Sequence, residues 1–149
     1  RGLPAALQQR PPQIAAVSAL EREALGTLHA NCGHCHNRSG HQVPLALTLA
    51  QRAADPEASR HELLASVLGV HGRFRPGDAT LAIVEPGASQ RSVLVQRMAT
   101  RDPQRQMPPL GTRHPDTEGL ARVSRWIDHT LADTSARTGL TPLSDRKEP

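Results

Sequence analysis

Three side chains able to do chemistry stand within five positions. Cys32, Cys35 and His36 lie in Asn31-Cys-Gly-His-Cys-His-Asn37, and the chain has no other cysteine. Two thiols one helical turn apart can reach the two vinyl groups of a haem while the adjacent imidazole faces the iron, so the run suits covalent haem attachment. Two cysteines and eight histidines scattered at random in this length give that spacing on the order of once in a thousand sequences. Two other chemistries use the same atoms. Cys-Gly-His-Cys is also a thiol-disulfide redox tetrapeptide, but such a site follows a buried strand and opens a helix. Here Leu25-Gly-Thr-Leu-His-Ala-Asn31 continues a helical pattern that ends at the cysteines. A structural zinc site needs a second paired ligand spacing, and His29, His34, His41, His61, His71, His114 and His129 offer none.

A haem iron held by His36 has a second axial face, whose occupant decides between electron transfer and catalysis on a small ligand. Met107 stands in Gln106-Met-Pro-Pro-Leu-Gly-Thr112, where Pro108 keeps the methionine out of helical backbone, and a rigid loop of that kind can press a thioether against iron. Met98 falls within a helical pattern with Leu94, so packing is its expected work. His71, in a glycine-flanked loop, is the best candidate that is not a methionine.

Several elements must position these groups. Ser18 and Glu21 form a capping box, and Leu20, Ala24 and Leu28 follow at four-residue steps, giving a helix that delivers its last turn into Cys32. Asp55-Pro56-Glu57 starts a second helix with Leu63, Leu64, Val67 and Leu68 on its apolar side and Gly69 as its stop. Between them the alternating leucines of Val43 to Leu49 predict a short extended segment lining a core. Residues 69–88 read as a long loop with turns at Pro76-Gly77 and Pro86-Gly87. Ser89 caps a short helix through Val93, Leu94, Arg97 and Met98. Thr100 to Pro115 is proline-rich and irregular. Asp116 caps a final helix with Leu120, Val123, Trp126, Ile127 and Leu131 on one stripe. Residues 1–17, with Pro4, Pro11 and Pro12, predict an extended lead-in or linker, residues 18–133 one domain, and residues 134–149 a disordered tail. The opening at Arg1, with no basic n-region or apolar h-region, is read as a mature or excised form. The best apolar run, Val43 to Ala50, is short and contains Pro44, so no membrane span is expected.

The formal charge is +4, from 17 Arg and one Lys against 14 acids. The arginines are scattered singly, and Trp126 and Phe74 are the only large rings, too few for a base-stacking platform, so nucleic-acid binding is set aside. Around Met107, Arg91, Arg97, Arg101, Arg105, Arg113, Arg122 and Arg125 outnumber Asp102, Asp116 and Glu118, which favours a protein partner with an acidic docking surface. Arg97 first and Arg113 second are candidates to pair with haem propionates. Large rings normally supply about 150–250 Å² of burial each. Their scarcity in a chain of 149 residues predicts that a flat apolar prosthetic group fills the centre.

Asn-Cys-Gly-His-Cys-His-Asn, Met-Pro-Pro-Leu-Gly-Thr and the closing Glu118-Gly-Leu-Ala-Arg-Val-Ser-Arg-Trp-Ile127 resemble the three landmarks of class I c-type cytochromes. Pro86-Gly-Ala-Ser89 followed by Ser92-Val-Leu-Val-Gln-Arg-Met98 is similar to a bacterial subgroup found free or joined to larger periplasmic redox proteins. The resemblance covers about residues 20–131. It implies an all-α class I cytochrome c fold, four to five short helices and long loops around one covalently bound haem c. It further implies thioethers at Cys32 and Cys35, axial ligation by His36 and Met107, and crossed first and last helices, with Ala24 and Leu28 against Val123, Trp126 and Ile127. The function implied is a periplasmic or otherwise exported monohaem carrier of single electrons, not by itself an enzyme. It would be free-standing or the electron-transfer module of a protein with a fused upstream redox domain. A haem enzyme or gas sensor with an exchangeable distal ligand, and a thiol-disulfide oxidoreductase, are the alternatives. The chain departs from mitochondrial cytochrome c in having no lysine-rich docking ring, and residues 38–88 match the family pattern weakly.

Overall fold

Ser18 begins the first long helix as its spacing predicts. In the computed structural model, which describes residues 5–9, 11–39, 46–74 and 80–133, its hydroxyl accepts from the Glu21 amide at 3.1 Å and helix α2 runs Ala19–Cys32, after a short α1 at Ala5–Gln9. The carboxylate of Glu21 reaches one residue further back than a capping box requires and accepts from the Val17 amide at 2.7 Å. Its other oxygen pairs with Arg60 at 3.0 Å, so a fully buried acid ties the start of α2 to the next helix. That helix, α3, spans Pro56–Val67 with Asp55 capping the Ala58 amide, and Gly69 follows at φ +66.

The lead-in is not extended throughout. Ala5–Gln9 is helical because alanine, leucine and glutamine there favour helix and no proline interrupts them. Ile14 packs against the core and over Gly26, while Arg22 donates to the Ile14 carbonyl at 3.1 Å, so residues 14–17 lie fastened along α2. The expected disordered tail at 134–149, the Pro76-Gly77 turn and Val43 to Leu45 lie outside the described residues.

The segment before α4 also differs. Ser89 does not cap that helix: its amide and hydroxyl both donate to the Asp128 carboxylate, at 2.7 and 2.8 Å. Ser89–Arg91 forms a single 3-10 turn, and α4 starts later, at Val93–Ala99. Its first amides find partners outside the helix, Val93 on the Ala82 carbonyl and Leu94 on that of Ile83, both at 3.0 Å. The 69–88 segment is therefore a structural support for α4, held by isolated bridges between Leu68 and Val84 and between His71 and Ala82.

Asp116 caps α5, Thr117–Arg125, which continues as a π-helical stretch over Trp126–Leu131. Within that stretch the Ile127 carbonyl accepts from Gly87, whose φ of +77 is the left-handed conformation that its turn needs. Every regular element among the described residues is helical, with no strand. The core joins Ala24, Leu25 and Leu28 of α2 to Val123, Trp126, Ile127 and Leu131 of the last helix. The glycine of the closing motif, Gly119, lies close against α2: a Cβ there would come within 2.8 Å of Thr27 Cγ2.

Candidate functional site

Cys32 is the last residue of α2, and the chain then turns tightly under it. The amides of Cys35 and His36 both donate to the Cys32 carbonyl, at 3.1 and 2.9 Å, which wraps the second thiol and the imidazole to the side that Cys32 occupies. Gly33 makes this turn possible. A Cβ there would lie 2.7 Å from the His29 carbonyl oxygen and 3.0 Å from the Ala50 Cα, because the segment carrying Leu47 and Leu49 passes directly against it. Leu49 donates to the His36 carbonyl at 2.8 Å and Gln51 to His29 Nδ1 at 3.1 Å, docking that segment beside the turn. Asn37 closes the turn from below, its amide donating to the carbonyls of Gly33 and His34.

The turn opens on a cavity. Its space free of protein atoms is about 1030 Å³ including the open mouth, of which about 210 Å³ admits the centres of water molecules. Cys32, Cys35 and His36 line one part of it, and Leu47, Leu49, Ile83, Val93 and Leu94 make the apolar wall. Met98, Met107, Pro108 and Pro109 come from later in the sequence, Arg73 and Arg97 add positive charge to the lining, and Phe74 adds a ring. The structure thus brings Cys32, Cys35, His36 and Met107 to one cavity. Met98 faces it as well, while also packing on the core, so helical placement does not withdraw this thioether from the site. His71 is exposed and outside the lining, and Arg113 is exposed and outside it too; Arg97 lines it.

The ionisable groups carry the mark of this setting. Both cysteines are free thiols, and burial pushes Cys32 up to about 11, with Cys35 adding to the rise. The imidazole of His36 is held below the usual histidine range by burial first, then by the positive charge of Arg97 and by His34. His36 Nδ1 is buried with no hydrogen-bond partner among the described residues. Arg97 is also lowered, by burial alone.

Met107 sits on a loop held in place by backbone hydrogen bonds and by arginines. Its amide donates to the Arg97 carbonyl at 2.9 Å, and Arg97 Nε donates to the Arg105 carbonyl at 2.8 Å. Arg101 bridges the loop's two ends, donating to the carbonyls of Met98 and His114. The Met107–Pro108 peptide is cis. Phe74, for which the sequence suggests no role beyond its rarity, lies under two cations, with the guanidinium carbons of Arg97 and Arg105 at 5.4 and 5.7 Å from the ring centroid. A signal exists in the sequence all the same: it is the chain's one Phe, flanked by Arg73 and Arg75.

Among the described residues no three of His, Cys, Asp and Glu gather as they would around a free metal ion. A haem iron takes only two protein ligands, and one of them can be a thioether. No helix of the described residues is long and apolar enough to cross a membrane. No protein-family model, no curated protein and no solved structure matches the chain.

Proposed function

We propose that residues 18–133 are a class I c-type cytochrome domain that binds one haem covalently and carries single electrons. The observation that carries this reading is the convergence of Cys32, Cys35, His36 and Met107, two distant stretches of sequence, on one apolar cavity. The donor set fits the group. Two thiols would hold it as thioethers, the His36 imidazole and the Met107 thioether would take the iron's axial positions, and leucine, isoleucine and valine would cover its faces. The buried His36 imidazole is biased toward its neutral form, the form that ligates a metal. Arg97 at the rim would pair with a propionate. Bound there, the haem supplies an iron that takes up and returns one electron, and methionine opposite histidine raises its potential relative to two histidines. The chain's own part is to keep both axial positions filled and water out, so that little rearranges when the charge changes.

The thiol-disulfide alternative is poorly served by these surroundings. A reactive cysteine of that class has its pKa lowered at a helix start, whereas Cys32 ends a helix and is pushed up to about 11. The donor and acceptor of the electron are redox proteins, one of them offering an acidic surface to the arginines around Met107, or a redox domain joined upstream. The reading implies a domain of the periplasm or another exported compartment.

Expression with cytochrome c maturation machinery, followed by haem staining and intact mass, tests the reading. The expected result is one covalently added haem, lost when Cys32 and Cys35 are both replaced by Ala; an unmodified mass for the wild-type chain overturns it. The thioether-to-iron charge-transfer band should vanish in Met107→Ala and persist in Met98→Ala. Rapid carbon monoxide binding by the reduced wild-type protein would instead mark an open distal site and a haem enzyme or gas sensor.

A further inference from the structure

We infer that Phe74 is a positioning residue for the Met107 loop, acting through Arg97 and Arg105; the inference rests on the cytochrome reading and deepens it. Thr100 to Pro115 contains no helix among its residues, so its own backbone does little to keep Met107 at the cavity. Its attachment to α4 runs chiefly through Arg97, with Arg101 adding one bond to the Met98 carbonyl. The Arg97 carbonyl receives the Met107 amide, and Arg97 Nε is spent on the Arg105 carbonyl, so both bonds depend on where Arg97 stands. That guanidinium is partly buried at the rim of an apolar cavity, where reduced hydration works against it. The Phe74 ring is what meets it there, and the same ring meets the Arg105 guanidinium on the loop itself. Two like charges drawn to one ring are a weak arrangement unless the ring's negative face offsets their repulsion and desolvation. Asp102, at 3.4 Å from Arg105, relieves part of the charge on the loop side. Phe74 thus joins α4 to the Met107 loop from a third segment, the poorly patterned 69–88 stretch.

The experiment uses the haem-loaded protein and imidazole as a probe that competes with Met107 for the iron. Imidazole binds only when the loop has let go, so its apparent affinity scales with the open fraction. Phe74→Leu keeps apolar volume and removes the ring face. Without the ring's attraction for either guanidinium, apparent imidazole affinity should rise roughly five- to thirtyfold. Phe74→Tyr should stay near wild type. Arg105→Gln, whose side chain does not line the cavity, should give about a two- to fivefold rise from the loop side. In a Met107→Ala background, where no loop closure competes, Phe74→Leu should add nothing. An unchanged affinity in both Phe74→Leu and Arg105→Gln, with haem attached, overturns the role of Phe74 alone. So does a Phe74→Leu gain that survives in the Met107→Ala background, because the ring would then act merely as cavity wall. An unmodified wild-type mass overturns this inference and the cytochrome reading together.

Discussion

On the cytochrome reading, protein made without haem should lose a large part of its stability. The perturbation is expression without maturation machinery, or Cys32→Ala with Cys35→Ala. The magnitude follows from the cavity: about 210 Å³ of it admits water centres, its wall is leucine, isoleucine and valine, and such emptied volume costs about 24 cal/mol per Å³. That comes to about 5 kcal/mol as an upper figure, since part of the space opens to solvent. Domains of this size are stable by roughly 5–15 kcal/mol in total, so the upper figure amounts to between a third and all of it. The chain has little else to draw on, because Trp126 is its one large, fully buried ring. Trp126 also supplies the assay. As the chain's single tryptophan, with no tyrosine present, it dominates the near-ultraviolet circular dichroism of the haem-free protein. The expected outcome is a weak, featureless near-ultraviolet signal, partial helicity in the far ultraviolet, and a broad urea transition with a lowered m value. Haem-free protein with a sharp Trp126 signal and a cooperative transition at full m value would refute the argument, since the cavity would then be a space the chain tolerates empty.

Three further outcomes follow from named interactions, each measured on haem-loaded protein. Arg60→Met leaves the Glu21 carboxylate buried against the Val17 amide without its cation and should lower stability by about 3 kcal/mol in urea melts, whereas removing a solvent-exposed pair such as Arg122 with Glu118 should change it by well under 1 kcal/mol. Gly33→Ala forces a Cβ against the His29 carbonyl and the Ala50 backbone and should destabilise by about 1–3 kcal/mol, with a matching fall in the yield of haem-loaded protein. Glu62 is held below the usual carboxylate range by its hydrogen bond to Arg52 and by the charges of Arg38 and Arg52. Its folded-state pKa is thus depressed, so its contribution is present above the ordinary carboxylate pKa and is lost as pH falls through the lower folded value. Carbon-detected titration should place Glu62 below the ordinary carboxylate range, and Arg52→Gln should move it up, with the difference shrinking at high salt.

The parts of the fold legible in the sequence are those fixed by neighbours along the chain. Ser18, Asp55 and Asp116 cap the helices they begin because a cap is a bond between residues three apart. Leu63 and Val67, or Val123, Trp126 and Ile127, are buried because one helical face has room for nothing else. The turn from Cys32 to His36 is equally local. What escaped reading depends on partners far away in sequence. Ser89 looks like a cap until Asp128, 39 residues on, takes both its donors. Gly119 belongs to the closing motif, but its contact, Thr27 packed against it from α2, is set by a residue 92 positions away. Proline spacing suggests a loose lead-in, yet Ile14 and Val17 are held by Arg22 and Glu21.

The same distinction bears on the site. Its donors announce themselves because their chemistry needs particular residue types at particular spacings. The residues that hold those donors need only reach the right place, and any backbone carbonyl or ring of suitable size will serve. For this reason the 69–88 segment, apart from its Pro-Gly turns, matches the family pattern weakly while still supplying the carbonyls of Ala82 and Ile83 on which α4 starts, and the ring of Phe74 beneath Arg97 and Arg105. Through α4 it fixes Met98 and the Arg97 carbonyl, and through Arg97 it fixes Met107. A change there that leaves Cys32, Cys35, His36 and Met107 untouched can therefore shift the part of the cavity that Met107 lines while the turn from Cys32 to His36 keeps its shape. On the cytochrome reading, attachment and axial closure are separable, the first lodged in a turn of five residues and the second spread over three segments that meet only on folding.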